Sequence, residues 1–347
     1  MRTQSTPLAA AIPATLARLA VLGGALLALL LLAADADGRT RWVKAQPPLS
    51  GIYESCRMPD SGQGEPRSCE QRLRMIREGG FRLVLNYNTA SMSVEDNLAY
   101  AELARSNGLK LAWNLASYRM PIEPKLDLVR ATQAHPATWG YYIGDEVRPE
   151  NRAEVEALAA AVRRLTGKPL LYISRPRPDL LQPFKAVGDF VGPDSYPVGP
   201  YDPPVCDTAR WARRMVEGDP RRNRRAWAKR MRSWRKRARA HRRRGHRGPA
   251  RPRRRQGPRL AMVVQAFSWS VDFPEAQHPW PDAAQMRQMR DAAIRCGRPK
   301  VLLWFCFHCI TGYHPDPESY WREVTDAAGA PMPRVRVPVR PARRSRR

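Results

Sequence analysis

The sequence predicts an α/β fold, a (β/α)8 TIM barrel, from two observations. From residue 50 onward, short β-rich runs alternate with longer amphipathic runs, the pattern of repeated βα units. Eight such pairs fit between residues 50 and 328, close to the roughly 250 residues typical of this barrel. The alternative is a doubly wound open sheet, which more often has about five or six strands.

Each predicted strand is a short run rich in β-branched, aromatic or leucine residues. The runs are SGIYES (50–55), FRLVLNY (81–87), LKLAWNLA (109–116), TWGYYIGD (138–145), PLLYIS (169–174), DFVGPDSY (189–196), LAMVVQAFSW (260–269) and KVLLWFCF (300–307).

The predicted helices lie near 68–79, 93–107, 124–134, 150–166, 178–186, 206–217, 282–296 and 317–328. Residues 68–71, SCEQ, have the spacing of a capping box at the first helix. Residues 282–296 form a long periodic run that ends at a glycine. No GxGxxG follows the first strand and no GxxxxGK[ST] occurs, so no nucleotide cofactor is expected.

The net charge of +28 is concentrated in two segments. Residues 220–259 hold 20 Lys or Arg and residues 334–347 hold 7 Arg, and neither segment contains Asp or Glu. The Arg-rich insertion, 219–258, falls between helix 6 and strand 7, on the barrel face opposite the expected active site. Its charge is therefore not expected to steer a substrate directly.

Two roles for this insertion stay open. Trp227, Met231 and Trp234 recur at helical spacing, so residues 221–255 would attach to an anionic membrane or cell-wall polymer through a basic amphipathic helix. The alternative is a solvated insertion without a partner. Nucleic acid fits the charge, but the N-terminal export signal argues against it as the main partner.

The N-terminus has the features of an export segment. Arg2 and Arg18 precede the apolar run 19–34, and residues 34–36, ADA, fit a small-residue cleavage site. Residues 1–36 are either a signal peptide or an uncleaved membrane anchor. Both place the folded part in the cell envelope or outside the cell. Residues 37–49 are expected to be a linker, 50–328 the barrel, and 329–347 a basic Pro/Arg-rich tail.

An exported protein retains disulfides, and the chain has six cysteines. Cys56 and Cys69 flank a loop rich in Gly, Pro and Ser and are expected to pair, whereas the sequence does not pair the other four. Residues 306–309, CFHC, hold one CxxC and one His and lack a second ligand pair, so no metal site is expected.

In a (β/α)8 barrel the active site lies at the carboxyl ends of the strands. The strand ends here combine amides, carboxylates, aromatics and a histidine, which suits a sugar, because polar groups bind hydroxyls and rings cover its apolar face. The candidate substrate-binding residues are Tyr87, Asn114, Asp145, Tyr196, Gln265, Trp269, Trp304 and His308.

Three stretches resemble strand ends of the (β/α)8 glycoside hydrolases: YYIGDE (141–146), GPDSYP (192–197) and QAFSW (265–269). In that family an Asn-Glu or Asp-Glu pair ending the fourth strand carries the general acid/base. The resemblance implies that Glu146 donates a proton to the glycosidic oxygen. Asp145 would then hold a substrate hydroxyl or orient Glu146.

The second carboxylate departs from the family pattern. It would lie about 5–5.5 Å away for a retaining mechanism or about 6.5–9.5 Å away for an inverting one. The family has a Glu at the end of strand seven, where this chain has Gln265 and Ser268. Asp194 is the first candidate partner and Asp272 the second. The alternative is a non-catalytic carbohydrate-binding barrel held at the envelope by its basic segment.

Each site assignment also has a purely structural alternative. Asp145 and Glu146 would suit the N-terminus of the next helix. Asp194 would suit a turn in which its side chain bonds its own backbone. Trp269 and Trp304 would suit core packing, and His308 would suit a buried hydrogen-bonding role.

Overall fold

The computed structural model describes residues 40–58, 67–116, 120–198, 204–218, 229, 232–233, 257–271 and 279–338. The chain divides into two compact units. The larger is Ala45–Pro333, and the smaller combines Met1–Lys44 with Arg334–Arg347.

The larger unit contains eight parallel strands that close into a barrel in chain order, as the sequence predicts. The barrel strands are β2 (Leu49–Glu54), β3 (Leu83–Asn86), β4 (Lys110–Asn114), β5 (Thr138–Asp145), β6 (Leu170–Ser174), β7 (Phe190–Ser195), β8 (Arg259–Gln265) and β9 (Val301–Phe305).

Helices follow the strands and cover the barrel. They are α1 (Cys69–Glu78), α2 (Val94–Ser106), α3 (Ile122–Thr132), α4 (Arg152–Leu165), α5 (Pro178–Leu181), α6 (Val205–Glu217), α7 (Ala283–Ala292), α8 (Phe307–Tyr313) and α9 (Pro317–Gly329). A π-helical turn, Ala293–Gly297, extends α7, and 3-10 turns lie at Tyr87–Ser91, Pro149–Asn151 and Trp269–Val271.

Local sequence explains where the best-defined helices begin. The Ser68 hydroxyl accepts a hydrogen bond from the Gln71 amide, and the Ser68 amide donates one to the Gln71 side chain, so the expected capping box starts α1. Asp282 and Gln285 form a second capping box at α7. Sequence analysis did not identify α8, because its seven residues are too few to show a helical period.

Barrel strands are buried on both faces, which is why they contain few polar residues. Side chains at alternating positions, such as Leu83 and Leu85 on β3 or Ala261 and Val263 on β8, form the inner core. Residues between them face the helices. This alternation decides which residue at each strand end enters the barrel mouth.

The smaller unit contains two antiparallel strands, β1 (Thr40–Lys44) and β10 (Arg334–Pro338), with Trp42 opposite Arg336. The Arg336 guanidinium lies 5.2 Å from the centre of the Trp42 ring. These strands occupy parts of the expected linker, 37–49, and of the expected basic tail, 329–347. The alternation in TRWVK and RVRVP explains why both segments become strands.

Most of the Arg-rich insertion lies outside the described residues, as does the apolar segment within residues 1–36. In chain order the insertion joins α6 to β8. Within the described ranges, no helix has the length and apolar composition that would let it cross a bilayer.

Three disulfides connect the six cysteines. Cys56 pairs with Cys69, the pair expected from sequence, at a Cα separation of 5.7 Å. Cys206 joins α6 to the π-helical turn at Cys296, and Cys306 pairs with Cys309. No cysteine of the chain is left free.

The disulfide that closes the longer loop is expected to contribute more to stability. Its cysteines are 90 residues apart, against 13 for the Cys56–Cys69 pair, and loop-closure entropy then gives roughly 4.5 and roughly 3 kcal/mol. We expect Cys206→Ala/Cys296→Ala to lower the free energy of unfolding in urea more than Cys56→Ala/Cys69→Ala does. Repeating each measurement in reductant subtracts the effect of the alanines themselves. A larger corrected loss for the short loop would contradict this expectation.

Candidate active site

Aromatic side chains line the centre of the barrel mouth. Tyr53 of β2 lies at their centre, with its ring centroid 5.3 Å from that of Tyr87, 6.2 Å from that of Tyr142 and 5.1 Å from that of Phe305. The ring of Tyr196 lies 5.8 Å from that of Phe305. These five residues form what we call the aromatic wall.

One extra residue in β5 determines which carboxylate reaches this wall. The register between β5 and β6 shifts at Ile143, so that Tyr142 lies level with Leu171 and Asp145 with Ile173. Leu171 and Ile173 both belong to the inner core. The bulge therefore turns Asp145 inward, three residues after the inward Tyr142.

Asp145 is held in the aromatic wall. The Tyr87 hydroxyl donates a hydrogen bond of 3.1 Å to its Oδ2. The pKa of Asp145 is raised to about 6, chiefly by burial and also by the Glu146 carboxylate, against the opposing effects of the Tyr142 and Tyr87 hydroxyls and of Arg175. An acid in this range exchanges a proton close to neutral pH.

Glu146, the residue expected from sequence to donate the proton, is partly buried at the end of β5. Its φ of 47° lies in the left-handed region, which is uncommon for a residue other than glycine. Its side chain is 32% exposed and accepts a 2.6 Å hydrogen bond from Nε of Arg175. Glu146 thus forms an ion pair with Arg175, which follows β6.

Asp194, the first candidate partner, is 4% exposed and lies level with Val263 of the inner core. Burial is the main cause of the raised pKa of Tyr196. The carboxylate of Asp194 is the next cause, and those of Asp145 and Glu146 raise this pKa further. Burial and the same three carboxylates also raise the pKa of Tyr53. Asp145, Glu146 and Asp194 therefore converge on these two tyrosines. Asp272, the second candidate, lies outside the described residues.

Glu54, the carboxylate that ends β2, belongs to the helix layer. It is fully buried and accepts a hydrogen bond from Arg72 of α1. The Arg72 guanidinium lies 5.8 Å from the centre of the Phe307 ring. This buried ion pair joins β2 to α1, so Glu54 is not one of the carboxylates of the barrel mouth.

The two amides predicted to bind substrate hold the backbone of the mouth. Gln265 is fully buried; it accepts a hydrogen bond from the Val198 amide and donates to the carbonyls of Val198 and Phe267. Asn114 donates to the carbonyl of Tyr87 and accepts from the amide of Ala116.

The two tryptophans predicted to bind substrate lie in different environments. Trp269 is partly buried beside the mouth, with ring centroids 5.2 Å from Phe267 and 5.9 Å from Tyr196. Trp304 is fully buried. It sits between the inward residues Leu303 and Phe305, on the opposite face of β9, and presents no face to a ligand.

His308 lies next to the aromatic wall, its ring centroid 6.3 Å from that of Tyr87. Burial lowers its pKa to about 4, with Arg72 adding to the effect. The imidazole is therefore neutral at pH 7. Its Nδ1 has no hydrogen-bond partner among the described residues.

The ligand atoms of Cys306, His308 and Cys309 lie within 4.8 Å of one another. The two sulfurs, however, are joined to each other. A zinc ion binds cysteine as thiolate, so this donor set does not fit a metal while the disulfide is intact.

Sequence analysis did not select Tyr53, Tyr142 and Phe305 among the binding residues. Strict alternation from Gly51 and Leu303, two residues before Tyr53 and Phe305, would have found both of them on the inner face. Tyr142 follows from the same rule only when the bulge is known.

Comparison with solved structures shows the fold shared with other barrels. A glucosidase from Croceicoccus marinus gives a TM-score of 0.52 at 11% identity, covering 86% of this chain and 70% of that one. Tryptophan synthase from M. tuberculosis and an endoglucanase from Pseudomonas stutzeri each give 0.44 at 12% identity, covering 82% and 84% of this chain and 93% and 99% of theirs. No family model and no curated protein matches the chain. At 11% identity the likeness to the glucosidase shows the (β/α)8 fold alone.

The raised pKa of Asp145 predicts that this residue lowers stability near neutral pH. The folded state holds the proton up to about pH 6, whereas the unfolded chain releases it near pH 4. Stability therefore falls as pH rises through this window. Asp145→Asn, which keeps an acceptor for Tyr87, should raise the free energy of unfolding by on the order of 2 kcal/mol at pH 7 and have little effect below pH 4.

The measurement is urea unfolding of both proteins from pH 3.5 to 8. Asp326→Asn, on the exposed side of α9, is the matched control and should leave stability close to wild type at every pH. A difference between Asp145→Asn and wild type that does not change with pH would contradict the raised pKa.

Proposed function

We propose that the protein hydrolyses a glycosidic bond at the carboxyl ends of the barrel strands, with Asp145 as the general acid and Asp194 as the second carboxylate. The observation that carries the proposal is Asp145 itself, a half-buried acid with a pKa of about 6 that accepts a hydrogen bond from Tyr87 in the aromatic wall. General acids of glycosidases have a raised pKa of this kind.

Asp145 protonates the leaving oxygen as the C–O bond breaks. Its pKa of about 6 leaves a usable protonated fraction at mildly acidic to neutral pH. The hydrogen bond from Tyr87 fixes the orientation of the carboxyl group. Because Asp145 is at the end of a strand and not in a loop, its position is precise.

Asp194 acts from β7 as the second carboxylate. It either activates a water or forms a covalent glycosyl intermediate, depending on its separation from Asp145. Burial raises the pKa of Tyr53 and of Tyr196, and the carboxylates of Asp194 and Asp145 raise both pKa values further. Both tyrosines therefore remain neutral and can donate hydrogen bonds to substrate hydroxyls.

Glu146 and Arg175 bind the sugar at the rim. Their ion pair is partly exposed, and both groups can exchange contacts with each other for contacts with hydroxyls. Trp269 and Tyr196 offer ring faces to the apolar side of the pyranose. The roles of Asp145 and Glu146 are thus the reverse of those that the family resemblance implies.

The glucosidase from Croceicoccus marinus shares the fold of this chain. That likeness supports a carbohydrate substrate as a class, and the choice of Asp145 and Asp194 rests on the geometry of the mouth. The shared fold and the two carboxylates together favour hydrolysis of a glycosidic bond over other reactions at the mouth of a barrel.

A non-catalytic carbohydrate-binding barrel is the second candidate. Gln265 takes the place of the glutamate that ends strand seven in the family, and its amide is fully engaged by Val198 and Phe267. A binding protein would use Tyr196, Trp269 and Glu146 and would not need the proton of Asp145.

We also propose that the protein is exported and that residues 221–255 attach it to anionic lipid or cell-wall polymer. The support is the apolar run at 19–34 and the concentration of Lys and Arg in the insertion. Deleting residues 221–255 should abolish cosedimentation with vesicles containing phosphatidylglycerol. Retention equal to that of the full chain would remove this role.

Activity on a panel of aryl glycosides and polysaccharides tests the proposed reaction. We expect wild type to release sugar, and Asp145→Asn to lose about 10²–10⁴-fold in kcat, the usual contribution of a general acid. The loss should be much smaller on dinitrophenyl glycosides, because their leaving group departs without protonation. Asp194→Asn should lose activity on both kinds of substrate.

Two matched variants separate the roles. Glu146→Gln should raise KM with a smaller effect on kcat, because this residue binds the sugar at the rim. Asp326→Asn should behave as wild type. If Glu146→Gln shows the leaving-group dependence and Asp145→Asn does not, the roles return to those of the family pattern. If wild type is inactive throughout but binds oligosaccharides, the binding-barrel candidate replaces hydrolysis.

A further inference from the structure

A second cavity lies beside the mouth, between the N-terminal ends of α2 and α3. It has a volume of about 230 Å³ and is lined by the loops that follow β3 and β4 together with the first turns of both helices. Two of its lining groups, Lys125 and Asn97, have unused hydrogen-bonding capacity.

Lys125 is 4% exposed and lines this cavity from the first turn of α3. It forms no hydrogen bond or ion pair with the described residues. Burial lowers its pKa, while Glu154, an exposed residue of α4 beyond ion-pair distance, opposes the shift. A buried ammonium without a partner is costly, and the positive end of a helix adds to that cost.

Asn97 of α2 is 1% exposed. Its Nδ2 donates to the carbonyls of Thr89, Met92 and Ser93, which fixes the orientation of the amide. Its Oδ1 is buried with no hydrogen-bond partner in the described part of the chain. Asn97 therefore holds the loop that follows β3 against the first turn of α2 and fixes this wall of the cavity.

The other charged side chains around the cavity are paired with one another, which leaves Lys125 as the cation without a partner among them. Asp127 lines it but forms a 2.5 Å ion pair with Arg130. Arg130 also approaches Glu123 at 3.7 Å. The amide ends of α2 and α3 both face the cavity and favour an anion.

The cavity is coupled to the candidate active site. Asn114 lines it and donates to the carbonyl of Tyr87, and the hydroxyl of Tyr87 donates to Asp145. A sugar chain that occupies the mouth therefore has a neighbouring pocket for one of its substituents.

We propose that this cavity binds the carboxylate of an acidic sugar, a uronic acid, with Lys125 holding the carboxylate. The identity of the ligand rests on the proposed carbohydrate function.

Calorimetric binding to the full chain carrying Asp145→Asn tests the proposal without turnover. The probes are D-glucuronate, D-glucose and inorganic phosphate. We expect glucuronate to bind at least about tenfold more tightly than glucose, and Lys125→Met to remove this preference, since a hydrogen bond to a charged group is worth about that factor. Lys185→Met, at an exposed lysine, is the matched control and should keep the preference.

Thermal unfolding separates lost binding from lost folding. Lys125→Met should be at least as stable as its parent, because it removes an unpaired buried charge, and Lys125→Gln gives a second variant of similar length. Equal affinity for glucuronate and glucose, or an unchanged preference in a folded Lys125 variant, would overturn the proposal. Phosphate binding as tightly as glucuronate would also overturn it, by making the cavity a general anion site.

This result is independent of hydrolysis. If wild type cleaves neutral glycans but Lys125→Met binds glucuronate like its parent, only the acidic-sugar proposal fails. If glucuronate binding depends on Lys125 but wild type cleaves nothing, only the hydrolase proposal fails.

Discussion

The register between β5 and β6 contains one extra residue on the β5 side, Ile143, and the arrangement of the barrel mouth depends on it. Without the bulge, strict alternation from Tyr142 would turn Glu146 inward and leave Asp145 outside the barrel. With it, Asp145 enters the aromatic wall and Glu146 turns to Arg175 at the rim. The left-handed backbone of Glu146 is the local cost of this turn.

The same feature explains the electrostatics of the mouth. An inward carboxylate among buried tyrosines is poorly solvated, so burial raises the pKa of Asp145 into the range where a group can donate a proton near neutral pH. Buried Asp194 and the ion-paired Glu146 lie around the same two tyrosines. Groups that lower stability in this way are characteristic of functional sites, and Lys125, in the neighbouring cavity, is a second example.

The alternation of β-rich runs with amphipathic runs was enough to predict the eight barrel strands, and TWGYYIGD was predicted with both of its ends, Thr138 and Asp145. Strand composition likewise found the mouth, since Tyr87, Asp145, Asp194 and Tyr196 meet there. The inward residue at the end of β5 was not predictable, because a bulge reverses alternation without a mark in the sequence. Trp304 was predicted to bind substrate because it is close to a strand end. Alternation from Leu303, however, assigns the inward position to Phe305. The Lys125 cavity arises from the packing of two successive helices and the loops before them, and no local pattern reveals it.

The most direct test is a crystal structure of the protein with a bound imino-sugar, because the protonated ring nitrogen of such a ligand binds to catalytic carboxylates. The account predicts the sugar ring inside the aromatic wall, against Tyr53 and Tyr196, within hydrogen-bond distance of Asp145 and Asp194, and with Glu146 at the rim. A ring bound by Glu146 from within the barrel, with Asp145 turned away from it, would contradict the central claim.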